Sequence, residues 1–310
     1  ECGHIIHADG CIVAPGLIDF HTHIFHEGSG SAIRPDFMIS QGTTAAVDAG
    51  TAGTVTYESF YKSVIAQSTV RIKGFLTTYS GGQLDFKLCE DFNPEHINLA
   101  RMERVIDKYR DNILGLKIRL SKGVVPDDKA LDYLKRVIEL ADELDERLGT
   151  SLRVCVHTTN SPIPASELAD CLRPGDIFCH CFQGAGNTII MENGQIWPGI
   201  LEARKRGVIF DAANGRGNFG AATAKQALKA GFLPDIISTD LTIDKFNIPP
   251  YTKNLPSVMA KYMTMGMNLM DVLNTVTAAP AKIMGMEGKI GTLQPGADAD
   301  IVILKEKQLS

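Results

Sequence analysis

Eight short apolar runs, each bounded by turn formers and separated by stretches of helical periodicity, limit how this chain can fold. The runs fall at 16–23, 43–48, 71–78, 115–120, 153–157, 176–182, 208–211 and 236–240. Apolar, β-capable runs of this length read as buried strands. Between them the spacing predicts helices over 34–41, 57–67, 94–109, 128–148, 164–171, 198–206 and 221–230. Two more follow at 255–265 and 269–277. The clearest is 128–148, where Leu131, Leu134, Val137, Ile138, Ala141 and Leu144 share one face. Gly42, Gly207, Gly231 and Gly266 stop helices, and Asn93 stands where a cap is needed. Strands alternating with helices build βα units around a parallel sheet. Eight units fit a closed (β/α)8 TIM barrel, a fold of about 250 residues. A doubly wound open sheet is the alternative, but no glycine-rich phosphate loop follows the first strand.

Composition narrows the partners. With 310 residues, 44% hydrophobic and 22% charged, the chain can bury a sizeable core. A net charge of −5 without a basic tract gives nucleic acid no purchase. No apolar segment is long enough to span a bilayer, and no signal peptide is visible. The seven cysteines sit mostly inside apolar runs, which suits reduced, packed thiols in a cytoplasmic enzyme. The expected partner is a small-molecule substrate; assembly into a homo-oligomer is left open.

The termini look like parts of one smaller unit. A turn at 291–296 leads into a strand at 299–304, and a lone strand needs partners. The chain starts at Glu1 and enters its first barrel strand within about twenty residues, so upstream strands are expected to be missing. The division that follows is 1–15 as a remnant of a small β domain, 16–287 as the barrel, and 288–310 as the return to the small domain.

Chemistry in such barrels sits at the C-terminal ends of the strands. Strand one ends in His21 and His23, which alternation places on one face. Lys117 is on strand four, His157 ends strand five, His180 is on strand six, and Asp240 ends strand eight. Singly, each has a plainer reading: a hydrogen-bonded core histidine, a helix cap, a snorkelling lysine. Together, four imidazoles and a carboxylate at successive strand ends read as a metal site. The lysine is the odd member, because an ammonium repels cations. Reaction of its amine with CO2 removes the difficulty, since the carbamate is an anion with two oxygens that can bridge two metals. One ion would take His21, His23, the carbamate and Asp240; the other, the carbamate, His157 and His180. Zinc suits these nitrogen and oxygen donors best, with manganese and iron as alternatives.

The run Pro15-Gly16-Leu17-Ile18-Asp19-Phe20-His21-Thr22-His23, followed in order by Lys117, His157, His180 and Asp240, resembles the amidohydrolase superfamily. The resemblance covers nearly the whole chain. The lysine on strand four implies the binuclear subtype. The ending from Gly288 to Val302 resembles the superfamily's return to a small β-sandwich domain. Dihydroorotases carry an arginine two residues after the HxH pair, where this chain has Phe25. The segments 180–184 and 210–219 are closer to a dihydroorotase-like deacetylase branch, although Asn214-Gly215 stands where that branch has His-Gly.

The resemblance implies a metal-dependent hydrolase of an amide or ester that deacylates a small N-acyl or O-acyl carboxylic acid. A hydroxide bridging the metals would attack, and Asp240 would carry the proton to the leaving group. A cyclic amidase of dihydroorotase or hydantoinase type, or a deaminase, is the alternative on the same scaffold. Two further readings are a barrel that binds without catalysis, and a metal-free lyase using Lys117 as a Schiff-base amine. Substrate-binding candidates are Arg119, which shares the face of Lys117 nearer the rim, Arg34 and Arg216 in loops, Tyr79 and Asn214. Alternation places Cys179 and Cys181 opposite His180, toward the helices, and Cys155 below His157.

Overall fold

The computed structural model describes residues 5–85, 87–215, 217–244, 246, 248 and 253–306. In chain order it runs β1 (Ile12–Pro15), β2 (Leu17–Thr22), α1 (Asp36–Ile39), β3 (Thr43–Asp48), α2 (Tyr57–Ser63), β4 (Arg71–Thr77) and α3 (Leu99–Lys108). It continues with β5 (Ile113–Arg119), α4 (Ala130–Leu148), β6 (Arg153–His157), α5 (Ala165–Cys171), β7 (Ile177–Cys179), α6 (Pro198–Arg206) and β8 (Ile209–Asp211). Helices α7 (Ala221–Lys229), α8 (Leu255–Thr264), α9 (Leu269–Thr275) and α10 (Ala278–Ile283) lead to β9 (Ile301–Leu304).

Seven parallel strands form one curled sheet in the order β2-β3-β4-β5-β6-β7-β8. The ring is completed differently from the eight-strand expectation. Segment 236–241 makes only isolated parallel bridges, Asp211 to Ile236 on one side and Thr22 to Leu241 on the other. Backbone hydrogen bonds from Asp240 to the His21 carbonyl and from His23 to the Leu241 carbonyl, 2.7 and 3.1 Å, hold it against β2. The eighth element is therefore a bridge and not a ladder. Its backbone leaves extended geometry at Asp240, where φ is 49°.

The core has two layers. Ile18, Phe20, Ala45, Val47, Phe75, Cys155, Ile177, Cys179 and Ile236 fill the space inside the curled sheet, plugged by Ala281 and Met284 of the α10 region. The opposite faces of the same strands, Leu17, Ala46, Leu76, Leu116, Ile118, Val154, Val156, Phe178 and Phe210, pack against the helices in the larger cluster. This two-sided burial is why the strands read as nearly continuous apolar runs. On α4 the buried residues are Ala130, Leu134, Val137, Leu140, Ala141 and Leu144, recurring at helical spacing. Its end at Gly149, φ 63°, uses the left-handed conformation that glycine tolerates best.

Further expected elements change. The strand expected to run through 182 stops at Cys179, because His180 takes φ 60°. Regular alternation along β7 already places Ile177 and Cys179 in the sheet interior with Phe178 outside, and the break at His180 then sends Cys181 to the helix-side cluster. The expectation that both thiols face the helices is thus corrected for Cys179. The helix expected over 94–109 begins as a short 3-10 turn at Pro94–His96 and restarts at Leu99, each with its own asparagine cap, Asn93 and Asn98.

The end strands β1 and β9 pair antiparallel, Ile12 with Leu304 through Pro15 with Ile301. This ribbon is tied to the barrel by the Arg71–Asp298 ion pair at 2.8 Å. Val302 also sits over Gly42, where an added Cβ would come within 2.5 Å of it. No helix among the described residues is long and apolar enough to cross a membrane.

Candidate active site

Strand ends on one rim of the sheet surround a cavity of about 350 Å³, lined in part by His23, Lys117, Arg119, His157, Asn218 and Asp240. His23, just past the end of β2, lines it, and His21 of β2 stands behind it, aimed at Asp240 through an irregularity. Phe20 lies in the interior cluster, so strict alternation would send His21 outward. The pairing of β2 with β3 shifts register between Asp19 and Thr22, and this re-aims the strand end. Asp19, pushed up to about 7 by burial against the pull of its bonds to Thr239, ties the same stretch to the 236–241 bridge.

Each of three imidazoles is oriented by an acceptor behind it. His21 Nδ1 lies 3.0 Å from Asp211 Oδ2, so the ring donates there and its Nε2 lone pair faces forward, 3.8 Å from Asp240 Oδ1. His23 Nδ1 lies 2.8 Å from Thr51 Oγ1, whose own proton goes to Asp48 Oδ2. The ring must therefore donate, and its Nε2 points to Asp240 Oδ1 at 3.4 Å. His180 Nδ1 donates to the Ala213 carbonyl at 2.8 Å, leaving Nε2 as an acceptor 2.8 Å from His157 Nδ1. Metal-binding histidines are commonly held in this way from their far side. Burial keeps the last two rings neutral: His157 is driven well below its usual range, and His180 down to about 3. Asp211 is raised by its own burial to about 6, with the Ser238 hydroxyl pulling the other way.

Asp240 and Lys117 complete the group. Asp240 Oδ2 accepts from Asn218 Nδ2 at 2.7 Å. Gly215 must be glycine to let this carboxylate in, since a Cβ there would come within 1.7 Å of Oδ2. Lys117 is 6% exposed, and its Nζ donates to Cys155 Sγ at 3.6 Å. Burial disfavours its charge, but the neighbouring thiols Cys155 and Cys179 and the carboxylates Asp240 and Asp211 outweigh it and raise the amine. Gly50 makes room for the lysine stem, at φ 92° with space for no Cβ beside Lys117. Left-handed or near-left-handed backbone at His180, Ala213 and Asp240, φ 60°, 37° and 49°, clusters at this rim, where strained geometry commonly marks function.

The expected substrate residues scatter. Arg119 lines the cavity, but its guanidinium is already paired with Glu90 at 2.8 Å. Glu90 is buried, which raises its pKa against the pull of Arg119. Arg34 is 60% exposed and pairs with Asp36 outside the cavity. Asn214 is buried and bonded to the Ser238 carbonyl and the Tyr262 hydroxyl. Tyr79 packs against the helix-side core. Arg216 lies outside the described residues. Sequence reading missed Asp211, Thr51, Asn218 and Glu90. The strand-end rule that found Asp240 applies equally to Asp211, the last residue of β8; the loop residues had no such signal.

A family model described as the amidohydrolase family matches residues 12–309. A deacetylase of Agrobacterium fabrum is 30% identical over 304 residues, covering 96% of this chain and 71% of that protein. A deacetylase of Enterococcus faecalis is 29% identical over 297 residues, covering 95% and 77%. A solved adenine deaminase superposes with TM-score 0.85 at 28% identity, over 95% of this chain and 77% of that one. A solved dihydroorotase gives 0.79 at 29%, over 90% and 72%.

Proposed function

From the premise that this chain belongs to the amidohydrolase family, we propose that it is a binuclear metal-dependent deacylase of small N-acyl or O-acyl carboxylic acids. The observation that carries the metal reading is the shared orientation of His21, His23 and His180. Each ring is locked from behind at Nδ1, and each turns its Nε2 toward another member of the group: Asp240 for His21 and His23, His157 for His180. The donor set fits. Lys117 stands on the cavity wall with His23, His157 and Asp240, where an ammonium would repel cations and an anionic carbamate on the same amine would hold them. His21, His23, Asp240 and the Lys117 carbamate would hold one divalent cation; the carbamate, His157 and His180 would hold the other. Zinc suits their oxygen and nitrogen atoms. When bound, such a pair acidifies a water and polarises the scissile carbonyl.

The protein's own part is proton handling and positioning. Asp240 takes the proton of the attacking water and passes it to the leaving nitrogen or oxygen. The Asn218 amide fixes its second oxygen, so that the first stays beside the imidazoles. Arg119, steadied by Glu90, is the group on the cavity wall placed to face a substrate carboxylate. The deacetylase relatives support acyl release as the reaction. A second reading, opening of a cyclic amide or removal of an exocyclic amine, draws on the dihydroorotase and adenine deaminase likenesses. Two measurements test these readings. Elemental analysis of the purified chain should find about two divalent ions per molecule, the stoichiometry of a two-metal site. A screen of N-acyl and O-acyl acids of both hands against cyclic ureides and adenine should show turnover of the first group. A metal-free active protein, or turnover of rings alone, would reverse the proposal.

A further inference from the structure

Below the imidazoles, inside the curled sheet, lie two thiols that the reaction does not use. Cys155 of β6 and Cys179 of β7 are buried, reduced, and 3.2 Å apart sulfur to sulfur. They sit one side chain beneath the cavity floor, because Lys117 lines the cavity and its Nζ touches Cys155 Sγ. Both belong to adjacent strands in register, with His157 opposite Cys179. His157 follows Cys155 by two residues, and His180 directly follows Cys179. Any movement that joins the sulfurs therefore pulls on the backbone carrying both imidazoles.

We propose that Cys155 and Cys179 form a reversible oxidative modification site: a hydroperoxide closes them into a disulfide, and closure weakens metal binding above. One S–S bond forms and one O–O bond breaks. The two thiols lose two electrons and two protons, and the hydroperoxide becomes water and an alcohol, or two waters from hydrogen peroxide. The sulfurs approach by about 1 Å to reach bonding distance. Cys155 then leaves Lys117, and the ends of β6 and β7 draw together. A buried thiol is ordinarily inert, and here proximity to a partner sulfur and to the cavity supplies what burial withholds. The weakening of metal binding rests on the metal reading above; the disulfide does not.

The test uses the native chain. Hydrogen peroxide treatment, alkylation in denaturant and digestion should yield one peptide pair joined through Cys155 and Cys179. Its mass should be lower by two hydrogens than the two reduced peptides, and dithiothreitol should release it. Metal affinity, read by chelator competition, should fall about tenfold or more, as when a supporting contact is lost, and recover on reduction. Recovery of both thiols free, separate sulfinic acids, or pairing through Cys181 would overturn the proposal. So would a cross-link that leaves metal affinity unchanged. A Cys179→Ala variant with a native circular dichroism spectrum should show neither the cross-link nor the peroxide effect. If the reduced chain binds no metal, the metal reading fails while the cross-link measurement still decides the thiol chemistry.

Discussion

At the scale of single residues the site is organised by what stands behind the imidazoles. Asp211 is the acceptor that fixes His21, at 3.0 Å, and replacing it with Asn exchanges a carboxylate for an amide that can turn the ring over. Asp211→Asn should therefore lower metal affinity about 10–100-fold, with the fold retained, as read by chelator competition and circular dichroism. Asn218 acts one step away, on Asp240 Oδ2 at 2.7 Å. Asn218→Ala should lower kcat about tenfold or more, with KM moving less, if the Asp240 carboxylate it holds carries the proton as proposed. If KM rises instead with kcat unchanged, Asn218 contacts substrate. The meeting of Asp240 and the histidines at one rim was legible from their places at strand ends. Asn218 was not, because an asparagine in a loop has no period to betray it.

At the scale of elements, close backbone approaches set the geometry. Gly115 lies on β5 two residues before Lys117, and a Cβ there would fall 1.9 Å from the Arg153 carbonyl oxygen of β6. Gly115→Ala should cost about 3 kcal/mol by forcing those strands apart, measured by denaturant unfolding. Gly123, φ 80° with open space around it, is the control: its alanine variant should cost only about 1–2 kcal/mol of backbone strain. Asp176 ties the start of β7 to its neighbours, accepting from Val154 N and from Arg173 N, Nε and Nη2 while 1% exposed. Removing it strips the buried Val154 N–H of its acceptor and takes one of two carboxylates from the Arg173 guanidinium, so Asp176→Ala should cost about 1–3 kcal/mol. Helix α4 was legible because its apolar face repeats at 3.6 residues over five turns' worth of chain. The sixth strand's end was not, because nothing in the run from Ile177 to Phe182 announces that His180 adopts φ 60°.

At the scale of the molecule, the ring is closed from both ends of the chain. His21 of β2 meets Asp211 at the end of β8 and Asp240 of the bridge, positions 190 and 219 residues away in sequence. A cation held there would bind the folded chain alone and so stabilise it. At a free concentration one hundred times its Kd, each ion adds about 2.7 kcal/mol. Chelation should thus lower Tm by about 5 °C or more, at roughly 2–4 °C per kcal/mol for a chain near this size. An unchanged Tm, checked by calorimetry before and after dialysis against chelator, would argue against a preformed metal site.

The sequence by itself determined the class of the fold and the rim at which chemistry gathers. Apolar strand runs alternating with amphipathic helices permit few topologies, and every parallel strand of a curled sheet ends on the same side. Tertiary structure alone decided that Asp211, Thr51 and Ala213 stand behind the imidazoles, that Glu90 has already claimed Arg119, and that Cys179 turns inward against Cys155. The physical reason is one of range. Side-chain periodicity records which way a regular element faces, whereas loop paths and left-handed backbone at single residues are fixed by contacts between segments far apart along the chain.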